Sequence, residues 1–353
     1  MAITISGSGI SSANFADGTI TTDDILASDV KNLKSGRKNL IINGGFDVWQ
    51  RGTSGFGHNV YSADRWREDY NTGNGVAISK HNIPSGGETG LPLGFTSAFK
   101  YALTVGSGAG LGLNDVRQKI ELPKRFEGQT FTLSYYVKAS SSCTVSNRRI
   151  YATNVTNPFS GASLSSLSVT TTWQRVTDTF TLGTSSTAVY SSSSFLDVVL
   201  SAPVATSVNI DYYITGVQLE LGSVATDFEH RSYGEELALC QRYYQKSFLP
   251  GVTPTQGAST TSWATGIGFE GAAIFESHNN SDIAYFKFPV RMRTNPTMVR
   301  YGNSQGYAYC FSGGGFHVNS GSFTGYADGF RLRQQRTSAY AYVQVHWTAD
   351  AEL

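Results

Sequence analysis

The sequence predicts a mainly β protein: a jelly-roll β-sandwich preceded by a short helical arm and followed by a second, small C-terminal β-sandwich domain. Charged residues make up 15% of the 353 residues, below the share of about a quarter that is usual in globular domains. The chain also contains 38 glycines, and aromatic residues reach 12%. Many short strands separated by tight turns, with few long helices, give this balance.

Residues 1–38 are predicted to form an arm that contains one short helix. Residues 21–24 (Thr-Thr-Asp-Asp) resemble a helix start, because acidic groups are favourable near the positive end of the helix dipole. Leu26, Val30 and Leu33 follow at helical spacing and form one apolar stripe. A helix this short is marginal alone in water. The stripe therefore packs on its own domain, forms a threefold bundle of three chains, or docks onto another protein.

Residues 39–231 are predicted to form the jelly-roll sandwich. The alternation is clearest where Phe131, Leu133, Tyr135 and Val137 share one face of a strand. Clusters of Gly, Ser and Asn divide the segments, which favours a double-sheet fold. The predicted strands are 39–42, 76–81, 99–105, 114–120, 130–139, 146–152, 174–182, 195–200 and 208–221.

Residues 232–246 are predicted to form a helix that links the sandwich to the rest of the chain. An S-x-x-E capping box starts at Ser232, and its two side chains satisfy free backbone donors at a helix start. Leu237, Cys240 and Tyr244 then repeat at i, i+3 and i+7 and form an apolar stripe.

Residues 247–353 begin with a linker rich in Pro and Gly and are predicted to form the distal β domain. Along 339–347 the residues alternate, so one apolar row that ends at Trp347 should face the core. The other row, which includes Tyr340 and His346, should face solvent, a groove or a partner chain. The predicted strands are 262–269, 284–288, 298–301, 307–311, 316–319, 329–333 and 339–347.

Two separated motifs connect this sequence to a known family. The first is Asn39-Leu-Ile-Ile-Asn-Gly-Gly-Phe-Asp-Val-Trp-Gln-Arg-Gly52, followed by Tyr61-Ser-Ala-Asp-Arg-Trp66. The second is the strand, turn and capped helix of residues 214–246. Together they resemble the two ends of a β-sandwich module of bacteriophage tail fibre and receptor-binding proteins. Residues 135–139 and 171–175 also look like strands of carbohydrate-binding sandwiches.

The resemblance implies a virion component that reaches a bacterial surface and binds a polysaccharide there. It implies attachment to other phage tail or baseplate proteins through residues 1–38, a homotrimer, and assembly in the host cytoplasm. Three widely spaced cysteines fit a protein made in a reducing compartment. The candidate residues for tail attachment or trimerisation are Leu26, Val30, Leu33, Leu237, Cys240 and Tyr244.

A glycan-binding surface needs flat aromatic faces for stacking, with polar groups for sugar hydroxyls. The distal domain offers such residues, although a role in its core or in a trimer interface is the alternative for each one. The candidate glycan-binding residues are Trp263, Tyr307, Tyr309, Phe316, His317, Tyr326, Tyr340 and Tyr342.

Several classes of function are not expected from this sequence. The formal net charge of +1 argues against nucleic-acid binding. No segment is apolar enough for membrane insertion, and no spacing of Cys or His indicates a metal site or a cofactor. We expect no enzymatic activity. The alternatives are a depolymerase tailspike that cleaves host polysaccharide and a purely structural tail connector.

Overall fold

The computed structural model describes residues 37–70, 75–104, 114–121, 123–203, 209–255, 273–276, 283–301, 308–312, 315–319, 321–334 and 342–353. The chain divides into two compact units, Met1–Lys38 and Asn39–Leu353. The predicted arm helix, with Leu26, Val30 and Leu33, lies outside the described residues, as does the predicted strand 262–269.

Two antiparallel sheets form a β-sandwich in the first part of the larger unit. In sheet I the strand order is β11 (Gln174–Thr181), β6 (Thr130–Ala139), β13 (Ile210–Leu221), β4 (Ser97–Thr104) and β3 (Gly75–Asn82). In sheet II the order is β1 (Val60–Tyr61), β2 (Trp66–Asp69), β5 (Asp115–Glu121), β12 (Phe195–Val199), β8 (Arg149–Thr153) and β9 (Ala162–Ser163). Two short strands, β7 (Cys143–Val145) and β10 (Leu167–Val169), pair with each other.

The chain crosses repeatedly between the two sheets: β5 belongs to sheet II, β6 to sheet I, β8 to sheet II, β11 to sheet I, β12 to sheet II and β13 to sheet I. This alternation makes the sandwich a jelly roll, as predicted. The predicted core face of β6 is confirmed, since Phe131, Leu133, Tyr135 and Val137 are all fully buried. Burying each such side chain stabilises the fold by about 1.5–3 kcal/mol.

A bulge in β13 preserves this core. The register between β13 and β6 shifts between Thr215 and Gln218. An extra residue in a strand changes which side chains face inward, so Ile214 before the bulge and Val217 after it are both fully buried. Gly216 takes the left-handed backbone angle that this geometry needs, with φ of +63°.

The first predicted strand, 39–42, is not a strand. Residues 37–41 have no regular structure. The Asn39 side chain makes hydrogen bonds here of the kind that a neighbouring strand makes in a sheet. The Asn39 carboxamide oxygen accepts hydrogen bonds from the amides of Ile41 at 2.9 Å and Leu219 at 3.1 Å. The Asn39 amide group in turn donates to the Val217 carbonyl at 3.0 Å.

The predicted helix is present but shorter than expected. Helix α1 spans Tyr233–Gln241, and the Ser232 hydroxyl caps it by accepting from the Glu235 amide. Strand β14 (Tyr244–Lys246) then pairs with β22 (Tyr342–Asp350), so Tyr244 lies on a strand rather than on the helix. Pairing with a distant strand outweighs the local helical pattern here.

The C-terminal part contains two further antiparallel sheets. Strand β22 pairs with β14, β15 (Ala273–Glu276), β17 (Thr297–Tyr301) and β18 (Ala308–Ser312), and β18 also pairs with β19 (Gly315–Asn319). The other sheet has the order β16 (Ile283–Lys287), β21 (Gly329–Gln334) and β20 (Gly321–Tyr326).

Trp347 faces the core of the C-terminal part, as predicted, and packs among Phe286, Phe288 and Phe330. His346 was expected on the outward row, but it is buried. Its ring stacks on Phe248 with centroids 4.5 Å apart. A neighbouring element therefore covers this end of the outward face of β22.

Residues at the end of β22 tie the C-terminal part to the sandwich. The buried Glu352 carboxylate accepts from Arg65, and it lies 3.4 Å from the guanidinium of Arg51. The Leu353 carbonyl accepts from the Tyr61 hydroxyl at 2.9 Å. The Arg65 guanidinium also lies over the Tyr243 ring, 3.4 Å from its centroid. Both predicted β domains thus belong to one compact unit.

Candidate functional site

The predicted distal aromatic residues are described only in part. Trp263, Tyr307 and Tyr340 lie outside the described residues. Tyr326 is half-buried, and its ring centroid lies 6.2 Å from that of Tyr285, which is 50% exposed. For the others only the backbone is placed: the strand register puts Tyr309, Phe316 and Tyr342 on one face of a sheet and His317 on the other.

Three of the residues predicted to attach or trimerise the chain lie in the linker region. Leu237 is half-buried beside a cleft. Cys240 and Tyr244 are buried within their own chain, and the Arg51 guanidinium lies 3.7 Å from the centroid of the Tyr244 ring. Neither Cys240 nor Tyr244 is therefore exposed to a partner, which corrects the expectation for these two residues.

The outer face of sheet I carries a group of aromatic and charged side chains that the sequence argument did not assemble. We call His81, Glu88, Lys138, Trp173 and Tyr213 the aromatic platform. His81, Lys138 and Tyr213 occupy alternate positions next to core residues of β3, β6 and β13, so they point away from the core. Trp173 directly precedes β11 and is buried beneath the platform, and Glu88 lies in the connection between β3 and β4.

The half-buried ring of Tyr213 is at the centre of the aromatic platform. It lies opposite Lys138 on one neighbouring strand and opposite Lys100 on the other. The Tyr213 ring centroid is 4.9 Å from that of His81 and 6.4 Å from that of Trp173. The Lys138 ammonium lies 4.9 Å from the Tyr213 centroid and 5.1 Å from the Trp173 centroid. These contacts hold Tyr213 in one orientation.

The Glu88 carboxylate joins the members of the platform. It accepts hydrogen bonds from the Trp173 indole at 2.7 Å, from His81 Nε2 at 2.8 Å and from the Lys138 ammonium. Partial burial alone would raise the pKa of Glu88, but the three hydrogen bonds outweigh it and lower the pKa to about 2. Glu88 is therefore ionised throughout the neutral range.

A second ion pair forms one edge of the platform. The Lys100 ammonium lies 2.8 Å from the Asp211 carboxylate, and both groups are partly exposed. The hydrogen bond from Lys100 to Asp211 raises the pKa of Lys100. Partial burial, together with the Asp211 charge, raises the pKa of the Tyr213 phenol, so Tyr213 stays neutral. The platform thus presents donors and acceptors in fixed positions with its charges balanced in pairs.

Sequence reasoning identified two of the platform's strands but not the platform. Residues 135–139 and 171–175, which look like strands of carbohydrate-binding sandwiches, contain Lys138 and Trp173. The missing signal was the alternation of β13, where Tyr212 faces the core and Tyr213 faces outward. The contribution of Glu88 depends on the path of a loop, which periodicity does not predict.

No family model matches this sequence, and no curated protein matches it. Solved structures are similar to about half of it. Tailspike protein 4 of bacteriophage CBA120 aligns over 52% of this chain and 21% of its own, at 14% identity and a TM-score of 0.30. A family 11 carbohydrate-binding module from Clostridium thermocellum aligns over 51% of this chain and 99% of its own, at 12% identity and a TM-score of 0.29.

The N-terminal cellulose-binding domain of a β-1,4-glucanase from Cellulomonas fimi aligns over 51% of this chain and 95% of its own, at 20% identity and a TM-score of 0.23. Within the described ranges there is no apolar helix of the length that a membrane span needs. The same residues contain no group of three His, Cys, Asp or Glu side chains placed to hold a metal ion.

Proposed function

We propose that this chain is a bacteriophage tail fibre protein that binds a bacterial surface glycan, and that the aromatic platform contacts the sugar. The two bracketing sequence motifs support the phage assignment. The observation that carries the glycan assignment is the Tyr213 ring, held half-exposed between Lys100 and Lys138 and beside His81 and Trp173.

The chemistry of the platform suits a hydroxyl-rich sugar. A sugar ring stacks its C–H groups on a flat aromatic face, and its hydroxyls bond to polar groups around that face. Lys138 with Glu88, and Lys100 with Asp211, supply such groups in positions fixed by their ion pairs. Since these groups are held before binding, little side-chain freedom is lost when a ligand arrives.

The proposed activity is binding without cleavage. Glycoside hydrolysis uses one carboxylic acid that is still protonated near neutral pH, which requires a raised pKa. The pKa of Glu88 is instead lowered to about 2, so this side chain suits an ionised acceptor of hydrogen bonds. Release of reducing sugar from a bacterial polysaccharide by the purified chain would contradict this part of the proposal.

The proposal includes attachment to the phage tail through residues 1–38 and a homotrimeric assembly in the virion. Three weak sites on one particle gain avidity, so each site needs only modest affinity. Light scattering of the whole chain tests the trimer, and a mass equal to that of one chain, 38.1 kDa, would contradict it.

A Tyr213→Ala variant tests the glycan site. We would screen the whole chain on an array of bacterial surface polysaccharides and measure the affinity of the strongest ligand by calorimetry. Loss of the stacking face should weaken binding about tenfold, a free energy of about 1.4 kcal/mol. Tyr213→Phe keeps the ring and should bind within about twofold of the unmodified chain.

Tyr326→Ala serves as the matched control in the distal part, because Tyr326 is also half-buried beside a second aromatic ring. If Tyr213→Ala binds like the unmodified chain while Tyr326→Ala loses binding, the sugar site lies in the distal part. If no polysaccharide binds to the unmodified chain, the proposed function is wrong. Thermal unfolding of each variant separates lost affinity from lost structure.

A further inference from the structure

A second concave surface lies between helix α1 and the sandwich. It is a cleft of about 320 Å³, lined by one face of α1, by residues of the segment 47–53 together with Lys80, and by residues of the segment 246–251. We call it the helix cleft. Its volume is near the lower end of the range of about 300–1,000 Å³ that is typical of small-ligand sites. It therefore suits a small molecule rather than a folded partner.

One face of α1 forms the first wall of the helix cleft. Tyr233, Leu237 and Gln241 all line the cleft. They follow one another at intervals of four residues, so they lie in one row along the helix. Tyr233 is 49% exposed, while Leu237 and Gln241 are half-buried. The row presents an exposed aromatic ring, an apolar side chain and an amide, which is a combination suited to a ligand with both C–H and hydroxyl groups.

Two buried aromatic residues, Trp49 and Phe248, also line the helix cleft. Each is held by a ring outside it. The centroid of Trp49 lies 6.2 Å from that of Phe99, and the centroid of Phe248 lies 4.5 Å from that of His346. The apolar part of the cleft is therefore formed before any ligand binds.

Gln50 supplies a hydrogen-bond acceptor in a fixed position on the opposite wall. The residue is 6% exposed, and both hydrogens of its amide group are used. They are donated to the Asp64 carboxylate at 2.7 Å and to the Tyr244 carbonyl at 2.9 Å. These two bonds set the orientation of the carboxamide, whose oxygen accepts no hydrogen bond from the residues that the structure describes. A ligand hydroxyl can bond to it with little loss of side-chain freedom.

The charges around the helix cleft are of both signs, which favours a neutral ligand. Two lysines, Lys80 and Lys246, line it together with the Asp47 carboxylate. Burial lowers the pKa of Lys80, against the charge of Asp47, and lowers the pKa of Lys246 to about 8, against the charge of Asp64. The Lys246 ammonium also donates to the Val252 carbonyl at 2.6 Å. Each lysine thus already has a carboxylate nearby.

We propose that the helix cleft binds a neutral saccharide of one or two residues, with a sugar ring stacked on Tyr233. The Asp47 carboxylate and the Gln50 oxygen accept hydrogen bonds from its hydroxyls, while the Gln241 amide can both donate and accept. The choice of a saccharide rests on the proposed function. It also fits the mixture of an exposed aromatic ring with amide and carboxylate groups around one small cleft.

The helix cleft and the aromatic platform are separate sites. Lys80 lines the cleft, and His81 belongs to the platform. These neighbours on β3 point to opposite faces of the strand. A disaccharide bound at one site is therefore not expected to touch the other, and variants at the two sites should affect different sugars.

Calorimetry with the whole chain and a set of disaccharides tests this proposal. The neutral probes are maltose, cellobiose, lactose and diacetylchitobiose, and digalacturonate is the anionic probe. Tyr233→Ala should weaken at least one neutral sugar about tenfold, and Tyr213→Ala should leave the affinity for that sugar unchanged. Because the ligand carries no charge, its affinity should change less than about twofold between about 0.05 and about 0.5 M salt.

Three further variants locate the binding. Asp47→Asn removes a charged acceptor on the wall opposite α1 and should weaken the same sugar severalfold. Tyr233→Phe keeps the ring and should bind within about twofold of the unmodified chain. Tyr285→Ala is the matched control, since Tyr285 is 50% exposed and lines neither site. It should bind like the unmodified chain, and thermal unfolding checks that every variant is folded.

The proposal is overturned if none of the neutral disaccharides binds, or if Tyr233→Ala and Asp47→Asn both leave every affinity unchanged. An equal loss in Tyr285→Ala would overturn it too, as would digalacturonate binding more tightly than every neutral sugar. Failure of the proposed platform site gives a different pattern. Tyr213→Ala would then weaken no sugar, while Tyr233→Ala would still weaken its own. If the cleft alone is wrong, Tyr213→Ala weakens every sugar that binds and Tyr233→Ala weakens none.

Discussion

Asn43 organises the turn at which the sandwich begins. Its carboxamide donates to the carbonyls of Val48 at 2.8 Å and Asp64 at 3.0 Å, and it accepts from the Val48 amide at 3.0 Å. The residue is fully buried and has a left-handed φ of 57°. Asn tolerates this region better than most residues. Asn43, a residue of the first sequence motif, therefore has a structural role in this turn.

Glu68 is a second buried polar residue in this region, and it makes the stability depend on pH. Its carboxylate accepts from the Ser62 hydroxyl, and it is fully buried. Burial raises the pKa of Glu68 from 4.5 to about 8, while the Ser62 hydrogen bond opposes the rise. The folded protein therefore holds a proton on Glu68 at neutral pH that the unfolded chain releases.

We predict that the free energy of unfolding falls as the pH rises from about 4.5 to about 8 through this group, because there the folded state binds more protons than the unfolded state. Glu68→Gln, which is neutral at every pH, should remove this slope and be the more stable form at pH 8. Urea unfolding at pH 5, 6.5 and 8 gives the measurement. Parallel curves for the two proteins would show that Glu68 is charged in the folded state.

At the scale of elements, the strands with clear alternation were predicted best. The bounds of β6 match the prediction residue for residue, because its apolar residues alternate along the sequence and place Phe131, Leu133, Tyr135 and Val137 on the core face. The end of α1 was predicted wrongly, since β14 is fixed by β22, about 100 residues further along the chain. Local pattern carries no information about such a partner.

The aromatic platform follows the same rule. The strand positions of Lys138 and Tyr213 are set by the period of two and were within reach of sequence reasoning. The contacts of these strands with Trp173 and Glu88 depend on the order of strands in the sheet and on the path of a loop. The alternation of side chains along a single strand predicts neither of these. The sequence pattern therefore predicts the strands that carry Lys138 and Tyr213 but not their contacts with Trp173 and Glu88.

The bulge at Gly216 sets the phase of β13 and hence the outward position of Tyr213. We predict that Gly216→Ala destabilises the protein by about 1–3 kcal/mol, because φ is +63° and the added Cβ would lie 2.8 Å from the Phe95 ring. Gly234→Ala is the control, since Gly234 lies in α1 with open space around it. That change should stabilise by up to about 1 kcal/mol. Equal midpoints of thermal unfolding for both variants would contradict the role of the bulge.

At the scale of the whole molecule, the sandwich and the C-terminal part depend on each other. Arg65 is 1% exposed, and its charged partner is Glu352. Gln50 also donates from its side chain to the Tyr244 carbonyl at 2.9 Å. Removing residues 247–353 would therefore take away the charged partner of Arg65, so this truncation is not a neutral way to remove the distal part.

We predict that Glu352→Ala lowers the free energy of unfolding by about 3–5 kcal/mol, the range for breaking a buried ion pair by removing one partner. Asp350→Ala is the matched control, because Asp350 also pairs with Arg51, at 3.2 Å, but its side chain is 43% exposed. Exposed pairs contribute about 1 kcal/mol or less. If the two variants unfold at the same urea concentration, Glu352 does not join the two parts.

Strand β22 has a further consequence for the order of events during synthesis. The strand supplies pairing partners to four other strands, and the chain that follows it joins Glu352 to Arg65, 287 positions earlier. Contacts of such long sequence separation form slowly. Until β22 and the residues that follow it have been synthesised, Arg51 and Arg65 lack the Glu352 carboxylate, so the sandwich does not reach its full set of contacts while its own strands alone are available.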